Sequence, residues 1–151
     1  MKRKLSYKGQ LPPGNQDRIK LSTLKGKKGY KIVKFQMIGS TPGDSSTGNG
    51  EYIGKIYATD QINNVSSSID FTEGDLLATC FIGSSTNNTQ GIGEMTTIFD
   101  NKEFNQDIFV YIVDESGGST PCNYYIELER MDLNDLQATQ LTLQSIRNIT
   151  E

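Results

Sequence analysis

Apolar and polar residues alternate with a period of two along most of this chain, the mark of strands with one buried face. In Arg18–Leu24, Ile19 and Leu21 face one way and Arg18, Lys20 and Ser22 the other. Tyr30–Ile38 returns with Val33, Phe35 and Met37 on one face. Tyr52–Thr59 is a strand with Gly54 inside it, which suggests a bulge. Leu76–Ile82 and Met95–Phe99 follow. Asp107–Val113 is the most apolar run, a candidate sheet centre with Phe109 in the core, and Tyr124–Leu128 points Tyr124, Ile126 and Leu128 inward. Near the end, Asp132–Gln140 reads as one helical turn capped by Asp132 or Asn134, and Leu141–Ile149 as a closing strand.

Gly-rich and polar segments separate these runs. Lys25–Gly29 has the composition of a hairpin loop, Gly39–Gly50 and Ser84–Gly93 of long polar loops, and Glu115–Thr120 of a turn. About eight strands with such turns predict an all-β fold, a single antiparallel β-sandwich, with the jelly roll as one fitting topology. Residues 1–16 have no core-forming pattern and carry Gly9, Pro12, Pro13 and Gly14. They read as an extended basic N-terminal arm on a sandwich domain of residues 17–151. Leu5, Tyr7 and Leu11 alternate loosely, so part of the arm could lie as a strand on a partner or on the body.

Charge changes the picture more than composition does. The whole chain is −3, but the first 34 residues carry eleven basic side chains against one acid, Asp17, and the remainder carries 17 acids against four basic groups. A basic leading segment on an acidic body suggests docking through one end. The arm residues Lys2, Arg3, Lys4, Leu5, Tyr7, Lys8 and Leu11, with Lys25, Lys27 and Lys28 of the expected hairpin, form the candidate docking set. The same lysines could be an ordinary solvated face or strand-edge protection, could meet an acidic protein surface, or could contact phosphates. The acidic body argues against nucleic acid.

The chain has no histidine, which removes the usual general base near neutral pH and the commonest metal ligand. No phosphate-cradling Gly-rich motif occurs, so neither enzymatic activity nor a cofactor is expected. Asp70, Glu73 and Asp75 cluster in a way that could suit Ca²⁺, but without the spacing or closing Glu of the twelve-residue loop, so a solvated acidic turn is the plainer reading. Cys80 and Cys122 are too few for a disulfide framework, and Cys80, inside an apolar run, reads as a buried thiol. No apolar stretch is long enough to span a membrane, and the basic start at Met1–Lys4 is not followed by an apolar signal region.

Four segments carry a resemblance: QDRIKLSTLKGKKGYKIVKFQ (16–36), SSIDFTEGDLLAT (67–79), IFDNKEFNQDIFVYIVDESGGSTPCNYYIELE (98–129) and MDLNDLQATQLTLQSIRNI (131–149). Together, in this order, they resemble a family of small uncharacterised virion structural proteins of marine tailed bacteriophages. The resemblance implies a virion component made in the host cytoplasm. The expected role is a decoration or cement protein on the outer capsid surface. Its partner would be the major capsid protein or another virion protein, and it would act as a homo-oligomer or symmetric multi-copy array. A tail- or fibre-associated module, whose loops Gly39–Gly50 and Ser84–Gly93 recognise a host glycan or another tail protein, is the alternative. A third class is a small phage protein acting on host nucleic acid inside the cell.

Overall fold

The computed structural model describes residues 3–40, 50–61, 66–84, 95–99, 101–115 and 117–150. Along them run β1 (Arg3–Leu11), β2 (Asn15–Ile19), β3 (Lys28–Gly39), β4 (Gly50–Tyr57), β5 (Leu76–Ser84), β6 (Met95–Phe99), β7 (Ile108–Asp114), β8 (Cys122–Asp132) and α1 (Asp135–Thr150). The strands form an all-β sandwich of two antiparallel sheets, one ordered β1-β8-β3 and the other β2-β7-β4-β5-β6. Most of the expected loops Gly39–Gly50 and Ser84–Gly93 lies outside the described residues.

The neighbours β1–β8, β2–β7 and β4–β5 are those of one long ribbon doubled on itself and wrapped, the jelly-roll arrangement. The strand β6 departs from it by pairing with β5 rather than β3. The strand β7 is second from an edge, and β4 takes the centre predicted for it. Between the sheets, Ile32, Phe35, Met37, Ile126 and Leu128 from one meet Ile56, Cys80, Ile108, Val110 and Ile112 from the other. Phe109 is only half-buried and points away from this core, with the Arg18 guanidinium 5.9 Å from its ring centre.

Two backbone features set the spacing and phase of this core. Gly54 continues the ladder without a bulge, opposite Cys80 and Ile112. A Cβ there would drive into the Met37 sulfur and come within 3.0 Å of the Phe35 ring, so its role is close approach of the two sheets. The bulges lie elsewhere, between Ile56 and Tyr57 and between Ile32 and Lys34. The second bulge reverses the phase of β3. Tyr30 and Ile32 point inward before it, Phe35 and Met37 after it, and Val33 is left half-buried at the switch.

Three further sequence expectations are corrected. First, residues 3–16 are not an arm apart from the domain. In β1, Arg3–Leu11 pairs residue by residue with β8, Leu11 is buried in the core, and Leu5 and Tyr7 pack against it. The sandwich therefore begins at β1. Its weak signature follows from its edge position, where inward residues are only half-covered and Gly9 sits beneath the Tyr124 ring.

Second, Lys25–Gly29 is not a hairpin loop, because β2 and β3 lie in different sheets and residues 20–27 cross between them. Asp107 holds this crossover. Its Oδ1 accepts from the Leu21 and Ser22 amides, both at 2.8 Å, and its Oδ2 from Arg18 Nε at 2.7 Å. Burial alone would raise its pKa. The bonds from Ser22, Leu21 and Arg18 outweigh that and hold the carboxyl at about 2. Asn105 Nδ2 donates to Gly26 O and Thr142 Oγ1, both at 3.0 Å, so one buried amide ties the crossover to the final element.

Third, that final element is a helix throughout, with no closing strand at Leu141–Ile149. Asn134 caps it. The Gln137 amide donates to Asn134 Oδ1 at 2.8 Å and Gln137 Oε1 accepts from the Asn134 amide at 3.1 Å, a reciprocal capping box. Leu133 and Ala138 are buried, whereas Leu136, Leu143 and Ile146 are exposed.

Candidate interaction surface

The two sheets differ in what covers their outer faces. On the five-stranded sheet, Tyr111 and Lys55 are each only 1% exposed. The ammonium of Lys55 donates to the Ser66 carbonyl at 3.0 Å and to that of Ser68, so the segment around 66–68 lies over this face. Burial lowers the Lys55 pKa, and the Glu73 charge opposes that shift. A lysine held by carbonyls in this way satisfies its ammonium within the chain.

The outer face of the three-stranded sheet carries the basic residues. Register places side chains there in cross-strand rows. Lys4, Glu129 and Lys31 form one row; Ser6, Glu127 and Lys34 the next; Lys8, Tyr125 and Gln36 a third; and Gln10, Asn123 and Ile38 the last. Four lysines on the outer strands thus flank two glutamates and a tyrosine on the central one. The Tyr125 hydroxyl donates to Glu127 Oε1 at 2.8 Å, and this bond raises the tyrosine pKa. The Lys34 ammonium stands 5.9 Å from the Tyr125 ring centre. Gln10 Nε2 donates to Asn123 Oδ1 at 3.0 Å.

The candidate docking residues therefore divide. Lys4 and Lys8 are exposed on this face, and Arg3 is exposed at the start of β1 opposite Arg130. Leu5, Tyr7 and Leu11 turn inward and serve the fold, which corrects their assignment as docking contacts. Lys27 pairs with Asp135 at the start of α1 at 2.8 Å, and Lys28 with Asp132 at the end of β8, so both lysines are engaged within the chain. Lys25 is exposed in the crossover, and Lys2 lies outside the described residues. Lys31 and Lys34 stood in the basic run but outside the docking set, and Tyr125, Glu127 and Glu129 had no part in it. The inward alternation of Tyr124, Ile126 and Leu128 already turned Tyr125, Glu127 and Glu129 outward. Which strands would flank them was not encoded locally.

The acids of 70–75 act separately. The Asp70 carboxylate accepts from the Thr72 amide at 2.9 Å and its hydroxyl at 2.6 Å, which lowers the Asp70 pKa. The Asp75 carboxylate accepts from Thr59 and Gln61. Among the described residues, no three His, Cys, Asp or Glu side chains gather as metal ligands. Cys80 and Cys122 are free and buried; burial raises both thiols, that of Cys122 to about 12. A cleft between α1 and residues 102–107 holds about 20 Å³, room for a single water. Among the described residues, no helix is long and apolar enough to cross a membrane. No family model matches the chain, and no curated protein matches it as a relative.

Proposed function

We propose that this protein is a non-enzymatic virion component of a tailed bacteriophage, a decoration protein that binds the outer capsid surface through the lysine-bearing face of its three-stranded sheet. The observation that carries the docking surface is the contrast between the faces: the segment around 66–68 lies over Lys55 on one sheet, and the other bears Lys4 and Lys8 exposed and Lys31 and Lys34 half-buried in cross-strand rows. A broad, rigid face with mixed charge and excess lysine suits an acidic protein surface. Such complementarity governs orientation and encounter more than raw affinity. The virion setting rests on the sequence resemblance, and jelly-roll domains recur in viral capsids, an argument by analogy of fold. The action is mechanical: a rigid sandwich bound across neighbouring subunits opposes their separation, and many copies on a symmetric lattice reinforce one another.

The test is a protein inventory of purified particles with stoichiometry, joined to co-sedimentation with empty capsids. The expected result is a copy number matching the capsid lattice. Binding should fall with rising salt and be lost when Lys4, Lys8, Lys31 and Lys34 are replaced by glutamine in a folded chain. A copy number matching the tail instead assigns the protein to the tail or fibre, and absence from particles overturns the virion reading altogether.

A further inference from the structure

Residues 66–72 lie over the outer face of the five-stranded sheet yet give it nothing apolar. Ile69 and Phe71, the large apolar side chains of this segment, are 42% and 65% exposed. Several of its hydrogen bonds stay within the segment: the Ser68 amide donates to Ser66 Oγ at 3.1 Å, and the Thr72 amide and hydroxyl donate to Asp70 Oδ1. Among the described residues, its polar link to the sheet is the Lys55 ammonium, held by the Ser66 and Ser68 carbonyls, with the Ser66 amide beside the Tyr111 hydroxyl. The residues that follow are anchored more firmly. The Ala58 amide donates to the Asp75 carbonyl at 2.8 Å, Lys102 Nζ donates to the Gly74 carbonyl at 2.7 Å, and Glu73 lies against the Tyr57 hydroxyl.

Beneath this cover the sheet is polar. Tyr111, Lys55 and Thr79 are neighbours in one cross-strand row on β7, β4 and β5, and each is at most 5% exposed. Among the described residues, the Thr79 hydroxyl finds no partner, and the Tyr111 hydroxyl approaches the Ser66 amide without hydrogen-bond geometry. Water would satisfy both hydroxyls and would hydrate the ammonium, whose burial is unfavourable in itself. Lifting the segment therefore trades two lysine bonds for the hydration of three polar groups, and draws no apolar side chain out of the core. Folded proteins open locally where buried apolar contacts are few. We propose that residues 66–72 form a lid latched by Lys55, which lifts about the anchor at 73–75 while both sheets stay folded. The open form presents an ammonium flanked by the Tyr111 and Thr79 hydroxyls, a polar site that the closed form fills with the lid's own carbonyls. This device belongs to the isolated chain and stands or falls without a capsid.

Labelling of the full native chain reads the lid directly. An amine-acylating reagent reports on Lys55 and a thiol reagent on Cys80, which lies fully buried between the sheets. Each rate is divided by the rate in the unfolded chain, and both sites are followed by peptide mass spectrometry. Denaturant speeds a step in proportion to the surface it exposes, and lifting residues 66–72 exposes little. The Lys55 amine should therefore be at least about tenfold less protected than the Cys80 thiol, at a rate nearly constant in urea below the unfolding transition, while the Cys80 rate climbs. Equal protection of the two sites with the same urea dependence overturns the proposal. The variant Lys55→Ala removes the latch. Chymotryptic cleavage after Phe71 in the native protein should then rise about tenfold, because cleavage tracks the population of the open form. Protection of Cys80 should hold in the same variant. Cleavage that is unchanged, or that rises no more than Cys80 loses protection, also overturns it.

Discussion

Asp107 is the residue whose loss should report most directly on how the crossover between the two sheets is held. Its carboxylate accepts from two main-chain amides, the Ser22 hydroxyl and Arg18, with its side chain 9% exposed. Its pKa falls from an ordinary 3.8 to about 2. Each unit corresponds to about 1.36 kcal/mol, so ionised Asp107 contributes about 2 kcal/mol to stability near neutral pH. Asp107→Asn keeps an acceptor for the amides and removes the charge, so it should cost about 2 kcal/mol. Asp107→Ala also leaves the buried Leu21 amide and the part-buried Ser22 amide without their acceptor, at about 1–3 kcal/mol for the buried donor and less for the other. It should cost about 4 kcal/mol or more, a large part of the 5–15 kcal/mol typical of a folded domain. Because the folded pKa is depressed, the contribution is complete above the unfolded value and disappears as pH falls through the folded one. Urea unfolding of wild type and Asp107→Asn should therefore differ by the full amount at pH 7, by about half of it at pH 3 and by little at pH 2. Comparing the two chains at each pH cancels the titration of the other carboxylates. A difference that stays constant from pH 7 to pH 2, or one below about 0.5 kcal/mol at pH 7, would refute this account.

Deletion of residues 2–11 should collapse the thermal transition, because it strips an edge strand from β8 and uncovers Ile126 and Leu128; a melting temperature close to that of the full chain would mean β1 is dispensable. Gly54→Ala should destabilise by about 1–3 kcal/mol in chemical unfolding, the usual cost of overpacking a filled core, since Met37 and Phe35 occupy the space of its Cβ. Cys80 and Cys122 should resist a thiol reagent in the native protein at pH 8 and react at the rate of unfolding, because burial raises both thiols; rapid native labelling of either would place it at the surface.

The sequence by itself determined the all-β class, because strand alternation is a local property: Tyr124, Ile126 and Leu128 face inward in the sandwich as their spacing required. It also placed a helix cap at Asp132 or Asn134, a signal within one helical turn, and the structure decided for Asn134. The lack of histidine set a limit on chemistry before any geometry was known. Tertiary structure alone decided the rest. The stretch after Asp132 fits two periods at once: Leu141 and Leu143 alternate as in a strand, while Ala138, Leu141 and Thr142 share a helical face, and the buried Asn105 bond to Thr142 favours the helix. The β1 segment has half-exposed inward residues at a sheet edge, so its membership of the fold rests on β8, more than a hundred residues away along the chain. The lysines became rows around Glu127 and Glu129 through the same long-range pairing, assisted by the bulge at Val33 that turns Lys34 back to the outer face. Periodicity records which side of a strand meets the core. Which strand lies beside it follows from the packing of the whole chain, and that pairing is what made an arm into an edge and a run of charge into a surface.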